Sequence, residues 1–137
     1  MIFYEIKIKY DRQTGEDAPR GVKETYLVEG ISCADVETRL MDEIRPLIFG
    51  DSEVQGCKKV QLFDIIPSAE GDKWYKARVE MITVEDNGKE SRKAVSMLVC
   101  ASSIDHALKN LKQHLQSVDC EVASITRSPI LEIYRAV

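Results

Sequence analysis

The second half of the chain repeats the pattern of the first half, and this repeat restricts the available folds more than any other feature. A shift of 71 positions places Phe3 on Trp74 and Tyr4 on Tyr75, and the same shift holds without a gap over residues 3–44. Beyond that point the shift falls to 68, which places Cys57 on Ile125. A repeat of this length is typical of duplication of a whole supersecondary unit and not of a solenoid.

Each copy predicts the same order of elements. Apolar and charged side chains alternate over residues 3–10 and 74–81, which is the pattern of a strand with one buried face. A polar connection and a returning strand follow in both copies. Ser32 and Ser102 each precede an aspartate by three residues, as at the start of a helix. Third strands are predicted at about residues 54–66 and 121–135.

These elements predict an α+β fold built by internal duplication of a strand-strand-helix-strand unit, with antiparallel-rich sheets and two helices in one pseudo-twofold domain. The first unit spans residues 1–66, the turn 67–73 joins the units, and the second unit spans 74–137. A unit of about 65 residues with one sheet and one helix is marginally stable alone. We therefore expect the two units to share one core as a single intimate domain.

Composition favours a soluble, cytoplasmic protein. Apolar residues make up 44% of the chain and charged residues 31%, as in globular proteins. No stretch approaches the roughly 18 apolar residues of a membrane span, and the N-terminus does not resemble a secretory signal. The four cysteines lie far apart without a CxxC pair. This spacing predicts small buried hydrophobic residues in a reducing compartment.

Several stretches resemble a known family. They are FYEIKIKY at the start, TYLVEG before the first helix, WYKARVEMIT after the joint, and MLVCASS before the second helix. In this order they resemble the proteins grouped as domain of unknown function 4494, which are encoded in Bacteroidetes and in their phages and mobile elements. The resemblance covers nearly the whole chain. It implies a cytoplasmic accessory protein that a phage or mobile element could encode, and it supplies no catalytic or ligand residues.

The sequence does not predict an enzyme. Its two histidines, His106 and His114, occupy polar positions of the second helix, where solvated side chains are expected. The acidic residues that could group around a cation lack the spacing of a calcium loop; they are Asp42, Glu43, Asp51, Glu53, Glu85 and Asp86. Neither GxxxxGK[ST] nor GxGxxG occurs. No catalytic residue, metal or cofactor is therefore predicted.

One surface is a candidate for ligand binding. Trp74, Lys76 and Arg78 alternate on one face of a predicted strand, where aromatic and basic side chains suit stacking and phosphate contact. The other candidate residues, from the first copy and from the basic hairpin, are Phe3, Lys7, Lys9, Lys89, Arg92 and Lys93. The alternative is an ordinary solvated sheet face. A net charge of -4 is opposite in sign to that of a typical nucleic-acid-binding protein.

Three functional hypotheses follow. The favoured one is a non-enzymatic accessory or interaction protein that contacts an unknown protein partner, or itself, through edge strands or an exposed helix. The alternative is a module that binds a nucleotide or single-stranded nucleic acid on the aromatic and basic sheet face. An enzyme with carboxylate or metal chemistry has the least support. No association with a membrane is expected.

Overall fold

Over residues 2–13, 15 and 18–136, which the computed structural model describes, the chain forms eight β-strands and two α-helices. The strands are β1 (Ile2–Arg12), β2 (Arg20–Glu29), β3 (Ile48–Gln61), β4 (Asp64–Ile66), β5 (Lys73–Val84), β6 (Glu90–Ala101), β7 (Cys120–Arg127) and β8 (Ile130–Tyr134). The helices are α1 (Cys33–Ile44) and α2 (Ile104–His114), and a short 3₁₀ helix (Arg45–Leu47) follows α1.

The chain divides into two compact units. The first unit consists of Met1–Gln61 and Pro129–Val137, and the second unit consists of Leu62–Ser128. Each unit contains one helix and one four-stranded sheet, in the order β3-β1-β2-β8 in the first and β7-β5-β6-β4 in the second. All pairs are antiparallel except β2–β8 and β4–β6, which are parallel. The predicted α+β class is confirmed, and the duplication remains an interpretation that this shared strand order supports.

The predicted third strands differ from the structure, because each is divided into two strands that belong to different sheets. β3 ends at Gln61, and β4 then pairs with β6 in the second unit. Likewise β7 ends at Arg127, and β8 pairs with β2 in the first unit. Pro129 between β7 and β8 has no N–H to continue a ladder. The single intimate domain with boundaries at 66 and 74 stays a prediction.

The core of the first unit lies between β1, β2 and α1. Ile6 and Ile8 on β1 are fully buried in one cluster with Val36, Leu40 and Ile44 of α1. The buried residues are two positions apart in the strand and four apart in the helix, so in each element they lie on one face. Each such side chain contributes about 1.5–3 kcal/mol of hydrophobic free energy when fully buried.

The second unit has its own hydrophobic cluster. Ala77 and Val79 on β5 are fully buried with Met97 on β6 and with Ala107 and Leu111 on α2. The predicted inward face of this strand is therefore confirmed. The helix packs on the odd-numbered face of β5, which leaves the even-numbered residues on the opposite, helix-free face.

A serine side chain caps the N-terminus of each helix. The Ser32 Oγ accepts a hydrogen bond of 3.1 Å from the Asp35 N–H, as the sequence predicts. In the second unit the cap is Ser103, whose Oγ accepts from the His106 N–H at 3.1 Å. The expected cap, Ser102, instead donates its backbone N–H to the His106 Nδ1 at 3.0 Å. Both starts satisfy backbone donors that would otherwise lack a partner.

A disulfide between Cys33 and Cys57 joins the first residue of α1 to β3. The expectation that all four cysteines are reduced, buried hydrophobic residues is wrong for this pair. Cys100 is buried, whereas Cys120 is a partly exposed thiol on β7.

Among the described residues, neither helix has the length and apolar composition that crossing a membrane requires.

Candidate functional site

An open groove of about 680 Å³ lies between α2 and β7 in the second unit. Its lining is mainly aliphatic and consists of Ile104, Leu108, Lys112, Leu115, Val118, Cys120, Glu121, Val122 and Ile125. These residues come from one side of the helix, from the loop after it, and from the strand, where all except Glu121 lie on the helix-facing side. We call this feature the α2–β7 groove.

The groove exists because the sheet covers only part of the apolar face of α2. Ala107 and Leu111 point into the core, whereas Ile104 and Leu108 lie on the flank beside them and line the groove. The Ile104 side chain is 52% exposed and Val118 is 39% exposed. Contiguous exposed aliphatic residues at the rim of a core are typical of surfaces that another molecule covers.

The strand that forms the other wall is at the edge of its sheet. β7 pairs only with β5, and no strand among the described residues pairs with its outer side. A bulge at Ala123 interrupts the ladder, because the register shifts between Arg78 and Val79 of β5. An exposed edge offers unpaired backbone donors and acceptors to another strand.

One acidic residue of the groove lining, Glu121, is bound by an arginine on the helix-free face of the sheet. The Arg92 Nη1 lies 2.6 Å from Glu121 Oε2 and 3.1 Å from Glu80 Oε2. Its Nε lies 3.6 Å from Glu90 Oε2. The hydrogen bond to Glu121 is the main cause that raises the pKa of Arg92 above its usual range. Lys112, on the opposite wall, forms no ion pair with any described residue.

Residues 2–136 match the family model described as Domain of unknown function (DUF4494). The chain belongs to this family. No significant match was found among curated proteins.

In this DUF4494 chain, the predicted aromatic and basic face of the second unit is brought together as expected. Trp74, Lys76 and Arg78 lie on the helix-free face of β5. Lys76 and Arg78 are exposed, and Trp74 is partly buried. Arg78 is flanked across the sheet by Ser96 of β6 and Ser124 of β7.

The corresponding face of the first unit differs from the expected ligand surface. Lys7 and Lys9 are exposed on β1, but Phe3 on the same face is fully buried. A fully buried ring offers no face for stacking on a ligand, so Phe3 is not part of the exposed surface, and ligand binding at this face stays a prediction. Alternation alone could not show this, because the strand has apolar side chains on both faces at its start.

The basic residues of the β5–β6 hairpin do not all lie on the face that carries Trp74. Lys93 pairs with Met81 and lies on the helix-facing side, whereas Arg92 pairs with Ile82 and lies on the helix-free side. Arg92 is also bound to three carboxylates, as described above, which reduces its capacity to bind a further anion. Lys89 is exposed in the connection before β6.

The two histidines of this DUF4494 chain make local structural contacts. The His106 Nδ1 accepts from the Ser102 N–H, and the His114 Nε2 lies 2.7 Å from Asp64 Oδ2 on β4. Neither contact was predicted from the sequence. No group of three or more His, Cys, Asp or Glu side chains in the described part of the chain is arranged to hold a metal ion.

A polar network in the first unit was also missed from the sequence. The Tyr10 and Tyr26 hydroxyls both donate to Glu24 Oε1, the latter over 2.9 Å, and the Arg12 Nη1 donates to Oε2 at 2.8 Å. Burial and the hydrogen bond to Glu24 raise the pKa of Tyr10 to about 12. The same two causes raise the pKa of Tyr26. The Tyr26 ring stacks on Tyr134 at a centroid distance of 5.8 Å.

One feature of the sequence could have indicated the α2–β7 groove. The internal repeat places Cys33 on Ile104 and Cys57 on Ile125, and the second member of each pair lines the groove. If the two cysteines had been predicted to form a disulfide, the repeat would have shown that the second unit has two isoleucines in place of this bond.

Proposed function

We propose that the protein is a non-enzymatic accessory protein that acts through protein contacts, and that the α2–β7 groove is its contact surface. The observation that carries this proposal is an aliphatic groove beside an unpaired strand edge in the same unit. The two features together suit an extended polypeptide, because the strand edge offers backbone hydrogen bonds and the groove accepts alternate side chains.

Covering the exposed aliphatic side chains of this surface contributes hydrophobic free energy to binding. Ile104 is about half exposed, so covering it contributes about 1 kcal/mol, which is half the value for a fully buried aliphatic side chain. Leu108, Val118 and Val122 add to this, and the backbone bonds of an added strand fix its direction.

The test compares two glutamate substitutions at exposed hydrophobic residues. Ile104→Glu places a carboxylate in the groove at the first residue of α2, where the helix dipole tolerates negative charge. Phe49→Glu is the matched control, because Phe49 is 55% exposed and lies on β3 of the first unit.

We expect the tagged wild-type protein and Phe49→Glu to retain the same partner in a host extract, and Ile104→Glu to lose it. Titration of that partner should show at least roughly tenfold weaker binding to Ile104→Glu. Equal binding by all three proteins would exclude the groove as the contact surface.

A second candidate function is binding of a nucleotide or single-stranded nucleic acid at Trp74, Lys76 and Arg78. The supporting observation is that Lys76 and Arg78 are exposed beside the Ser96 and Ser124 hydroxyls, a combination suited to phosphate. Fluorescence anisotropy with a labelled oligonucleotide tests it. We expect binding that falls steeply with salt and is lost in Lys76→Ala/Arg78→Ala, with Lys7→Ala/Lys9→Ala as the control.

The proposal places the protein in the cytoplasm. Cytoplasmic thiols are kept reduced, so the Cys33–Cys57 disulfide of the structure is unusual for this location. Alkylation in intact cells before lysis, read by mass spectrometry, tests this. A Cys33–Cys57 pair that resists alkylation in the cell would argue for an oxidising compartment.

A further inference from the structure

The backbone of β7 has a defined direction at each residue. The Ser128 N–H donates to the Trp74 carbonyl oxygen, and the Ile82 N–H donates to the Asp119 carbonyl oxygen, both over 2.9 Å. Residues 119 and 128 therefore direct their backbone groups toward β5, and this direction alternates along an antiparallel strand. On either side of the bulge, the residues whose backbone groups point away from the sheet are Cys120, Val122, Ile125 and Arg127.

These four residues can pair with the same four residues of a second copy of β7 that runs antiparallel to the first. If a second copy of β7 lies beside the first with Val122 opposite Ile125, then Cys120 lies opposite Arg127. All four outward-pointing residues then meet an outward-pointing partner, and each pair lies on the same face of the sheet. Shifting the register leaves some of the four opposite residues whose backbone groups are already used.

The bulge is part of this match. In the same register Ala123 of one copy lies opposite Ser124 of the other, so the two bulges meet at the twofold axis. A bulge usually blunts an edge strand, because a regular partner strand cannot follow it. A partner with an identical bulge at the same height follows it, so the bulge selects a second copy over an ordinary strand.

Side chains and charges agree with the same register. Val122 and Ile125 of both copies form one apolar row on the helix-facing side, continuous with the α2–β7 groove. Asp119 and Glu121 make the beginning of the strand acidic, and Arg127 makes its end basic. Antiparallel pairing places the acidic beginning of each copy beside the basic end of the other, and no like charges lie opposite each other.

From these observations we propose that the partner of the α2–β7 groove is a second copy of this chain, joined by antiparallel pairing of β7 with β7 about a twofold axis between Ala123 and Ser124. The inference rests on the proposed function and names its partner. The two sheets of the second units become one eight-stranded sheet, and α2 of each copy borders the shared apolar row.

Cross-linking in one register tests the pairing. In the proposed dimer Glu121 lies opposite Thr126 of the other copy, with Cα atoms about 4.5 Å apart, as in a non-hydrogen-bonded antiparallel pair. This distance suits a disulfide. In a Cys120→Ala background, mixing Glu121→Cys with Thr126→Cys should give a disulfide-linked dimer, and neither variant alone should. The control mixture is Glu121→Cys with Asp119→Cys, because both positions lie near the start of β7 and are far apart in the antiparallel pair.

Native mass spectrometry and sedimentation equilibrium on the unmodified chain complete the test. We expect a dimer, weakened roughly tenfold or more by Ile125→Lys, which places a lysine of each copy in the shared apolar row. A monomer, or cross-linking in the control mixture, overturns the β7 pairing. If the chain is a monomer and Ile104→Glu still loses a captured protein, the inference fails and the proposed function stands. If neither dimerisation nor capture depends on the groove, both fail.

Discussion

The two units share a strand order and differ in how the space between the helix and the edge strand is closed. In the first unit, the disulfide between Cys33 and Cys57 ties α1 to β3. In the second unit, Ile104 and Ile125 hold the corresponding positions and line an open groove. The same architecture therefore supports a covalently closed surface in one copy and an open apolar surface in the other.

The two cores also differ in polarity. The first unit has the Tyr10–Glu24–Tyr26 network, whereas the second unit has Met81, Val95 and Met97 at the positions that the internal repeat aligns with these residues. A hydrogen-bonded network fixes side-chain positions, and methionine adapts to irregular space. The first unit thus has fixed polar contacts at these positions, whereas the second unit has adaptable apolar side chains there.

The largest effect is expected from removing the disulfide. Cys33→Ala/Cys57→Ala should lower the free energy of unfolding of the first unit by about 3 kcal/mol, since the bond closes a loop of 24 residues. Urea denaturation and hydrogen exchange along α1 measure this. The second unit should be unchanged; equal loosening of α2 would contradict the independence of the two helix–edge contacts.

A second variant of the same pair tests what closes the surface of the first unit. Cys33→Ile/Cys57→Ile gives the first unit the residues of the second at these positions. It should lose the covalent contribution and gain binding of a hydrophobic dye, because exposed aliphatic side chains replace the disulfide. Dye binding no higher than in the wild type would show that the disulfide is not what closes this surface.

The next effect concerns the polar network. Glu24→Val introduces the residue that the second unit has at this position and leaves two tyrosine hydroxyls and Arg12 without their acceptor. We expect a loss of about 1–3 kcal/mol in the free energy of unfolding, the cost of unsatisfied buried polar groups. Tyr10→Phe, which removes one donor and leaves none unsatisfied, is the control and should cost less. A neutral Glu24→Val would mean that the network is not needed.

A smaller difference is expected at the helix starts. Ser103→Ala should cost about 1 kcal/mol, because the cap of α2 is lost. Ser32→Ala should cost less while the disulfide is intact, since Cys33 holds the next residue in place. Thermal unfolding with and without reductant measures both. Equal costs under oxidising conditions would indicate that the disulfide does not support the start of α1.

The smallest effect on stability is expected from ionisation of the tyrosines, which occurs only at high pH. The pKa of Tyr10 is about 12 in the folded chain, above its ordinary value near 10. The folded state therefore retains a proton that the unfolded state loses, so this contribution to stability is complete below pH 10 and is lost as the pH rises to 12. Absorbance titration at 295 nm should show tyrosines that ionise late, and fewer of them in Tyr10→Phe. Ionisation of all tyrosines near pH 10 would contradict the network.

The local elements could be predicted from the sequence because their causes are local. Alternation places Ile6 and Ile8 on the buried face, and Ser32 begins the first helix. The exchange of β4 and β8 between sheets could not be predicted, because it depends on long-range pairs such as Ile65 with Leu98. The disulfide was missed for a similar reason, since 24 residues separate Cys33 from Cys57. Of the candidate ligand residues, Trp74, Lys76 and Arg78 share one face as expected, whereas Phe3 is buried.

The exchange of the short strands sets an order for folding during synthesis. The second unit is one continuous segment, so it has all its strands once residue 128 has left the ribosome. The first unit is begun earlier but lacks β8, which pairs with β2, until residues 130–134 have followed. The N-terminal unit is thus the last to be completed, and the edge of β2 is open to wrong partners while the rest of the chain is made. A chaperone that binds the nascent chain would therefore have most to protect in the part of the chain made first.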